Sequence, residues 1–470
     1  MIAAADAAPR GRTPVIPAAL AEQAGVLVIG LEVPPLYRSA RGVYPAVFRA
    51  FSRDLMHAMQ RGFFEFTRVQ TPARPEHYQM LGRRRVVQAV RESDLALAEL
   101  GASFDFLLAV TPVNSDSAWK EFCEHDYKCT PVLRYRMLDI DPELGKRTLY
   151  ALPLERLEDP VLAQLLRDKR RELDRQLGLL DDRDTPRFLH GSMQLYGGVE
   201  DDLLEQAHAI LAGVPAATRE AGPRCDAEGF RVRAEAELEY YRAQHPALAT
   251  TVQVRDDLTS VMVSHGDLLI PSRLDLAEFR IDALLAHEIG IHVVTYANGR
   301  AQPLRVLSAG LANYESLQEG LAMFAEHLVG GLDGERLRLI AARVVAVRRL
   351  VEGASFPDVF AELVDRHHFS PRVAFTITLR VFRGGGLTKD AIYLRGLVQL
   401  LAHLRGGHPL DALLVGKIAF EQVALVDELL RREILHPPLL RPRWLDTPRT
   451  VDRLARASAG LRVIDLMEAA

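Results

Sequence analysis

The segment HEIGIH, residues 287–292, combines residue types that could carry out hydrolytic chemistry. Histidine nitrogens and carboxylate oxygens are common zinc ligands, and a glutamate beside them can act as a general base. The familiar helical motif of zinc peptidases spaces its histidines four positions apart, whereas His287 and His292 are five apart. On a regular α-helix five residues turn by about 500°, which leaves the two side chains roughly 140° apart. A regular helix therefore could not direct both imidazoles to one ion.

A local widening of the helix would resolve this geometry. A single i→i+5 turn brings residues five apart almost into register, and such π-bulges are frequent at functional sites. Gly290 has no side chain to obstruct the distortion, and the isoleucines on either side of it are only fair helix formers. The sequence therefore predicts a π-bulge at 287–292. It predicts a surrounding helix of roughly twenty residues that begins near Ser272 and ends at Asn298-Gly299.

A catalytic zinc site needs a third protein ligand and leaves its fourth position to water. The segment SLQEGLAMFAEHLV, residues 316–329, has apolar residues at helical spacing with carboxylates near that stripe. The candidate ligands are Glu315, Glu319 and Glu326. Gly320 follows Glu319 directly, so a second helix can approach closely there. Spacing alone favours Glu319 only weakly over its two neighbours.

HEIGIH followed by QEGLA (318–322) resembles the HExxxH-plus-glutamate metallopeptidase family that is named for its QEGLA motif. Bacterial members of that family are called flavohemoglobin expression-modulating proteins, and animal members are the microtubule-associated tyrosine carboxypeptidases. The resemblance extends from roughly residue 40 to residue 435 and is strongest over 250–400.

The resemblance implies a role for each residue of the two motifs. One Zn2+ ion would be bound by His287, His292 and Glu319, and Glu288 would be the general base. Zinc lowers the pKa of bound water to about 7, so a carboxylate next to one ligand can take its proton. The same carboxylate can then pass that proton to the leaving amine.

The segment TLRVFRGGGLTKDAIYLRGL, residues 378–397, also resembles that family. Its three consecutive glycines allow close backbone approach to a ligand, and arginine suits bidentate recognition of a carboxylate. Because a carboxypeptidase must bind a free C-terminus, we nominate Arg380 and Arg383 for the substrate carboxylate. Tyr393, and with less support Lys389, could stabilise the oxyanion of the tetrahedral intermediate. Arg380 could instead be an ordinary ion-pair residue, and Tyr393 a core residue.

The surrounding pattern predicts the elements that position these residues. Residues 250–270 alternate around two turn signals, which indicates an antiparallel meander, and 274–436 is mostly helical in pattern. A long charged helix is expected at 158–182, and short apolar runs at 104–113 and 131–138 indicate strands. The predicted fold class is a mainly helical α+β protein. The resemblance adds a zincin-like metallopeptidase core with a small antiparallel sheet beside the active-site helix.

Four regions are expected along the chain. They are a flexible N-terminal tail at 1–24, a helical and strand region at 25–249 packed on the catalytic part, a catalytic region at 250–436, and a C-terminal extension at 437–470. Since no long flexible linker separates the second region from the third, we expect them to pack as one large domain.

Composition limits the partners and the cellular compartment. The 470-residue chain has a net charge of −4, so nothing suggests nucleic acid or an anionic membrane surface as a partner. Its longest apolar runs are far shorter than a membrane span, which needs about 18 residues or more. Three cysteines cannot form a disulfide framework for a chain of this size, which suits a reducing compartment. A cytoplasmic protein is therefore expected.

The leading functional prediction is a zinc-dependent carboxypeptidase that acts on a peptide or protein C-terminus through metal-activated water. Two alternatives stay open. One is a zinc amidohydrolase that acts on a small modified or γ-glutamyl peptide, and the other is a regulatory, non-catalytic modulator of expression. The intact Glu288 argues against the second alternative, because a structural zinc site needs no base.

Overall fold

The computed structural model describes most of the chain after its first residues. The described residues are 88–467 apart from 158, 217–221 and 259, and parts of 23–81, chiefly 36–39 and 42–72. The predicted tail at 1–24 lies outside the described residues except for Gln23. The chain divides into two compact units, Met1–Gly82 and Arg83–Ala470.

The described part of the first unit contains one hairpin and one long helix. Strands β1 (Arg38–Ser39) and β2 (Gly42–Val43) pair antiparallel, and helix α1 spans Pro45–Gln70. Pro45 occupies the first turn of α1, where its missing N–H leaves no intrahelical hydrogen bond unmade.

The second unit is mainly helical, as the sequence predicts. The helices before the candidate site are α2 (Gln88–Ala102), α3 (Phe106–Ala109), α4 (Ser115–Glu124), α5 (Pro142–Ala151), α6 (Pro160–Asp181), α7 (Arg187–Tyr196), α8 (Asp201–Gly213) and α9 (Ala227–Gln244). The later helices are α10 (Ile281–His287), α11 (Val294–Ala301), α12 (Val306–Ala309), α13 (Tyr314–Leu328), α14 (Gly334–Val351), α15 (Phe356–Ala361), α16 (Pro371–Phe382), α17 (Ile392–Arg405), α18 (Val423–Arg431) and α19 (Pro448–Ser458). Helix α6 confirms the helix predicted at 158–182.

Helices α13 and α17 meet at two glycines in the main core. A Cβ atom on Gly396 would lie 1.8 Å from the carbonyl oxygen of Ser316, and one on Gly320 would lie 2.5 Å from the backbone of Gly396. Only glycine fits at either position, because backbone atoms cannot move aside as a flexible side chain can. The close helix approach predicted at Gly320 is confirmed.

Strands β4 (Val252–Arg255), β5 (Met262–Ser264) and β6 (Asp267–Pro271) form a sheet with β6 at its centre. Strand β5 pairs antiparallel with β6, but β4 pairs parallel with it, so the prediction of an antiparallel meander is wrong for β4. Strand β6 is almost entirely buried, whereas β4 is largely exposed. An apolar strand gains more from a central position, which places β6 between the two earlier strands.

The two strands predicted nearer the N-terminus are also wrong. Residues 104–113 contain the short helix α3, which Asp105 caps by accepting a hydrogen bond from the Leu108 N–H. Residues 131–138 are extended but belong to no sheet in the described chain. Their polar backbone groups bond instead to the Asn114 side chain and to the Val113 N–H. Short apolar runs do not distinguish a strand from a helical turn.

Strand β7 (Asp275–Ala277) lies just before the candidate active-site helix. It pairs antiparallel with β3 (Arg224–Asp226), which is about fifty residues earlier in the chain. Among the described helices, none combines the length and the apolar character that crossing a bilayer would require.

Candidate metal centre

The helix that carries HEIGIH changes its winding at the motif. Residues Glu288–Val293 are π-helical and lie between α10 and α11. The ring centroids of His287 and His292 are therefore only 5.0 Å apart, with their planes inclined at 78°. The predicted π-bulge is confirmed, and its effect is to bring both imidazoles to one side of the helix.

The predicted ends of this helix are wrong. Ser272 does not cap it, because β7 intervenes and α10 begins only at Ile281. The helix also continues through Asn298 and ends at Ala301. The side chain of Asn298 donates to the carbonyl oxygens of Leu414 and Leu440, so a distant contact, rather than a helix stop, explains this asparagine.

Gly290 has a packing role as well as a conformational one. A Cβ atom at this position would lie 2.5 Å from Nε1 of Trp444. The C-terminal region after residue 437 therefore rests directly on the back of the π-helical segment. An alanine at position 290 would force this indole away from the helix.

Glu319 on α13 completes a cluster that could hold a metal ion. One ligand atom from each of His287, His292 and Glu319 lies within 4.8 Å of the other two, and the described residues contain no other such group. The distance from His287 Nε2 to Glu319 Oε2 is 3.9 Å. Tetrahedral ligands at zinc bond lengths lie about 3.4 Å apart, so small side-chain rotations would bring this pair onto one ion. We call these three residues the metal cluster.

Glu326 lies two turns further along α13 and holds His287 from behind. The Nδ1 atom of His287 donates to Glu326 Oε1 over 2.8 Å, which leaves Nε2 directed at the metal cluster. Arg280 donates to the other carboxylate oxygen at 2.9 Å, and Arg336 lies 3.4 Å from Oε1. The Glu326 carboxylate is almost fully buried, so these two arginines balance its charge.

His292 has a longer hydrogen bond at its Nδ1 atom than His287 has. Its Nδ1 atom lies 3.5 Å from Oε1 of Gln318, and the same oxygen accepts a hydrogen bond from the Thr295 hydroxyl at 2.8 Å. Gln318 is therefore fixed by the helix it faces, and it is the first residue of QEGLA. The QEGLA segment thus contributes the Glu319 carboxylate to the metal cluster and the Gln318 side chain behind His292.

Electrostatics at the metal cluster favour a bound cation. Burial raises the pKa of Glu288 to about 7, and the charges of Glu319 and Glu326 add to this effect. Burial lowers the pKa of His292 to about 4, so this imidazole is neutral at pH 7, as a metal ligand must be. Burial also acts to lower the pKa of His287, but the hydrogen bond to Glu326 and the nearby carboxylates outweigh it and raise that pKa. A cation would offset this excess of carboxylates.

A second buried group surrounds Asp390. Arg380 binds its carboxylate with two hydrogen bonds of 2.6 and 2.9 Å, while Arg343 and Arg383 approach to 3.8 and 3.9 Å. Burial would raise the pKa of Asp390, but the three guanidinium groups outweigh it and hold that pKa well below its usual range. We call Arg343, Arg380, Arg383 and Asp390 the arginine cluster. It carries three cations for one anion.

The arginine cluster has free donors and lies beside Tyr393. The Nε atoms of Arg343 and Arg383 are buried without a hydrogen-bond partner among the residues that the structure describes. The Arg343 guanidinium lies 5.2 Å from the ring centre of Tyr393. Burial raises the pKa of Tyr393, and Glu319 of the metal cluster adds to that shift, so the two clusters are electrostatic neighbours.

Lys389 pairs with a second glutamate of α13. Its ammonium lies 3.0 Å from the carboxylate of Glu315, and it faces the ring of Tyr196 at 5.7 Å. Glu315, Glu319 and Glu326 thus have three different positions: beside Lys389, in the metal cluster, and behind His287. The sequence left these three alternatives open, and the three residues share one face of α13 but lie at different heights along it.

A comparison with family models gives a match over most of the chain. The model described as microtubule-associated tyrosine carboxypeptidase matches residues 120–462, which include both clusters. The chain belongs to this family. No curated protein matches it. The family's description supports a carboxypeptidase-like peptidase.

The sequence motifs do not assign several residues of this family member to the positions that they occupy at the two clusters. Glu326 was weighed only as an alternative ligand, although its position seven residues after Glu319 places both on one helix face. Arg336 and Arg343 are likewise seven apart on α14. A charged stripe inside an otherwise apolar helix is the signal that could have revealed them.

Proposed function

We propose that the protein is a zinc-dependent carboxypeptidase with a zincin-like core, and that His287, His292 and Glu319 bind one Zn2+ ion. The observation that carries this proposal is the convergence of these three ligand atoms within 4.8 Å, with Glu288 next to the first ligand. Two imidazoles and one carboxylate form an established donor set for catalytic zinc. When bound, zinc supplies Lewis-acid polarisation of the scissile carbonyl and acidifies water.

Glu288 moves the protons in this proposal. Burial acts to raise the pKa of this carboxylate, which favours a group that must accept a proton from water and later donate it. Its carboxylate is buried, so bulk water does not compete for that proton. The proton that Glu288 takes from water goes to the leaving amine as the peptide bond breaks.

The arginine cluster is proposed to bind the substrate's C-terminal carboxylate. Asp390 occupies one edge of the Arg380 guanidinium, but the Arg380 side chain is 30% exposed against 10% for Arg343 and 8% for Arg383, so Arg380 is the best placed for direct contact. Arg343 and Arg383 then contribute charge and position. Tyr393 would stabilise the oxyanion through its hydroxyl, and Lys389 would support it at the edge of the same site.

The test combines metal analysis with a C-terminal digest. We expect the purified full chain to contain about one zinc per molecule and to remove C-terminal residues from a peptide library. Glu288→Gln should keep the zinc and reduce turnover by about 10²–10⁴-fold. Glu143→Gln, at a position with a 77% exposed side chain, is the matched control and should behave as wild type. Cleavage of small amides but not of peptides would favour an amidohydrolase, and zinc-free, inactive protein would refute the proposal.

A further inference from the structure

Lys417 lies between two aromatic rings that belong to the two metal-bearing helices. Its ammonium is 5.4 Å from the ring centre of Tyr296 and 5.5 Å from that of Tyr314. Tyr296 is one helical turn beyond His292, and Tyr314 begins the helix that carries Glu319. The ammonium is therefore held beside the metal cluster by two cation–π contacts.

The backbone fixes this position firmly. The Lys417 N–H donates to the carbonyl oxygen of Leu307, and its own carbonyl oxygen accepts from the Leu311 N–H. The preceding Gly416 packs so closely that a Cβ atom there would lie 2.9 Å from the carbonyl oxygen of Leu307. The loop that carries Lys417 is thus locked against the segment between the two metal-bearing helices.

Among the described residues no carboxylate forms an ion pair with the Lys417 ammonium, although Glu315 acts on it at longer range. Two carboxylates in this area already have partners, because Glu172 binds Lys169 at 2.5 Å and Glu315 binds Lys389 at 3.0 Å. The side chain of Lys417 is partly buried. Burial and the charge of Lys169 lower the pKa of Lys417 to about 8, and the charge of Glu315 offsets only part of that shift. A bound anion would offset both effects.

We propose that Lys417, held between Tyr296 and Tyr314, forms a second anion-binding subsite that binds a carboxylate of the peptide substrate. A partly desolvated ammonium that forms no ion pair with the described carboxylates costs free energy that an incoming anion would recover. The subsite is distinct from the arginine cluster, where Asp390 already supplies one anion. The proposal rests on the proposed peptidase function. The carboxylate can be the C-terminal one or an acidic side chain.

The test uses the zinc-loaded full chain and two matched peptides, acetyl-Ala-Glu-Tyr and acetyl-Ala-Gln-Tyr. We expect Lys417→Met to lower kcat/KM for the Glu peptide by about tenfold or more, mainly through KM, because a charge-assisted hydrogen bond is lost. A loss confined to the Glu peptide identifies a side-chain carboxylate. An equal loss with both peptides identifies the terminal carboxylate.

Further variants separate loss of charge from loss of folding. Lys417→Arg keeps the charge and should retain most of the activity, while Lys128→Met, at an 81% exposed side chain, should change nothing. Binding of both peptides to Glu288→Gln needs no turnover, so it tests the subsite even if the proposed peptidase function fails. Unchanged peptide binding and kcat/KM in a folded Lys417→Met variant would overturn the proposal.

Discussion

The metal cluster and the arginine cluster are buried groups with opposite charge imbalances. Around the metal cluster lie three carboxylates, those of Glu288, Glu319 and Glu326, and the arginines that the described chain places within ion-pair distance of them are the two behind Glu326. In the arginine cluster three guanidinium groups share the single carboxylate of Asp390. Buried charge without an equal partner is costly, so a fold keeps it where a ligand supplies the missing charge. In the proposed function, the first region would bind a cation and the second an anion.

The two regions also differ in how many separate segments of the chain contribute their residues. The residues of the metal cluster lie on two helices that are close in sequence, whereas the arginine cluster combines α14, α16 with the residue that follows it, and the segment 388–391. Helices α13 and α17 join the regions at Gly320 and Gly396. We therefore expect the structure of the arginine cluster to depend on its internal ion pairs, and that of the metal cluster to depend on the contact between α13 and α17.

Removal of the only anion from the arginine cluster should have the largest effect. We expect Asp390→Asn to lower the free energy of unfolding by about 3–5 kcal/mol, because it leaves buried guanidinium groups unpaired. Added sulfate should restore part of that stability by supplying an anion. Urea unfolding with and without sulfate measures both effects.

The control for this prediction is Asp126→Asn. The Asp126 side chain is 85% exposed, so its loss should change stability by no more than about 0.5 kcal/mol. A cost for Asp390→Asn similar to that of Asp126→Asn would mean that the arginine cluster is not electrostatically strained.

Separation of α13 from α17 should damage both regions together. Gly396→Ala places a methyl group 1.8 Å from the Ser316 carbonyl oxygen, so the helices must move apart. We expect a loss of about 3 kcal/mol in stability, near the upper end for overpacking, together with weaker zinc binding. Gly101→Ala is the control, since its methyl group would meet only Leu173 at an ordinary 3.5 Å. Unchanged zinc binding in Gly396→Ala would show that the metal cluster does not depend on the contact between α13 and α17.

Loss of the support behind His287 should affect the metal cluster alone. Glu326→Gln removes the charge that orients the imidazole, and we expect zinc affinity to fall by about 10–100-fold. Competition with a chromophoric chelator measures this change directly. Glu335→Gln, on the exposed side of α14, should leave the affinity unaltered. Equal affinities in the two variants would contradict a positioning role for Glu326.

The smallest effect concerns pH in the zinc-free protein. Because the pKa of Glu288 rises from 4.5 to about 7 on folding, its contribution to stability falls as pH increases through that range. His292 contributes in the opposite direction, since its pKa falls from 6.5 to about 4. Glu288→Gln removes only the contribution of Glu288. As the pH increases from 4.5 to 7, the free energy of unfolding of the variant should therefore rise by about 1–3 kcal/mol relative to that of the wild type.

Unfolding of both proteins in a metal chelator at several pH values measures this difference. Parallel stability curves for the wild type and Glu288→Gln would show that the buried carboxylate has no raised pKa.

The sequence predicted more of the metal cluster than of the arginine cluster. Five-residue spacing with Gly290 between the histidines predicted the π-helical turn, because that geometry is local to one helix. Arg380 and Arg383 were predicted as ligands for substrate, and their shared partner Asp390 was missed. Asp390 lies within the same quoted segment, but only the fold of the turn at 388–391 directs its carboxylate back to α16.

The sheet shows the same distinction between local and distant information. The alternating pattern of 250–270 located all three strands approximately, yet β4 pairs parallel because β6 takes the central position. Strand pairing depends on burial on both faces of each strand, and alternation alone does not report that.

The sequence by itself determined which side chains can bind a metal and how the helix beneath the histidines is wound. Both follow from residue type and from spacing along one helix. Only the tertiary structure decided which of three glutamates on α13 completes the metal cluster, and that none of the described carboxylates forms an ion pair with Lys417. These outcomes depend on how the helices and the loop of Lys417 are placed against one another, which is set by packing between residues far apart in the chain.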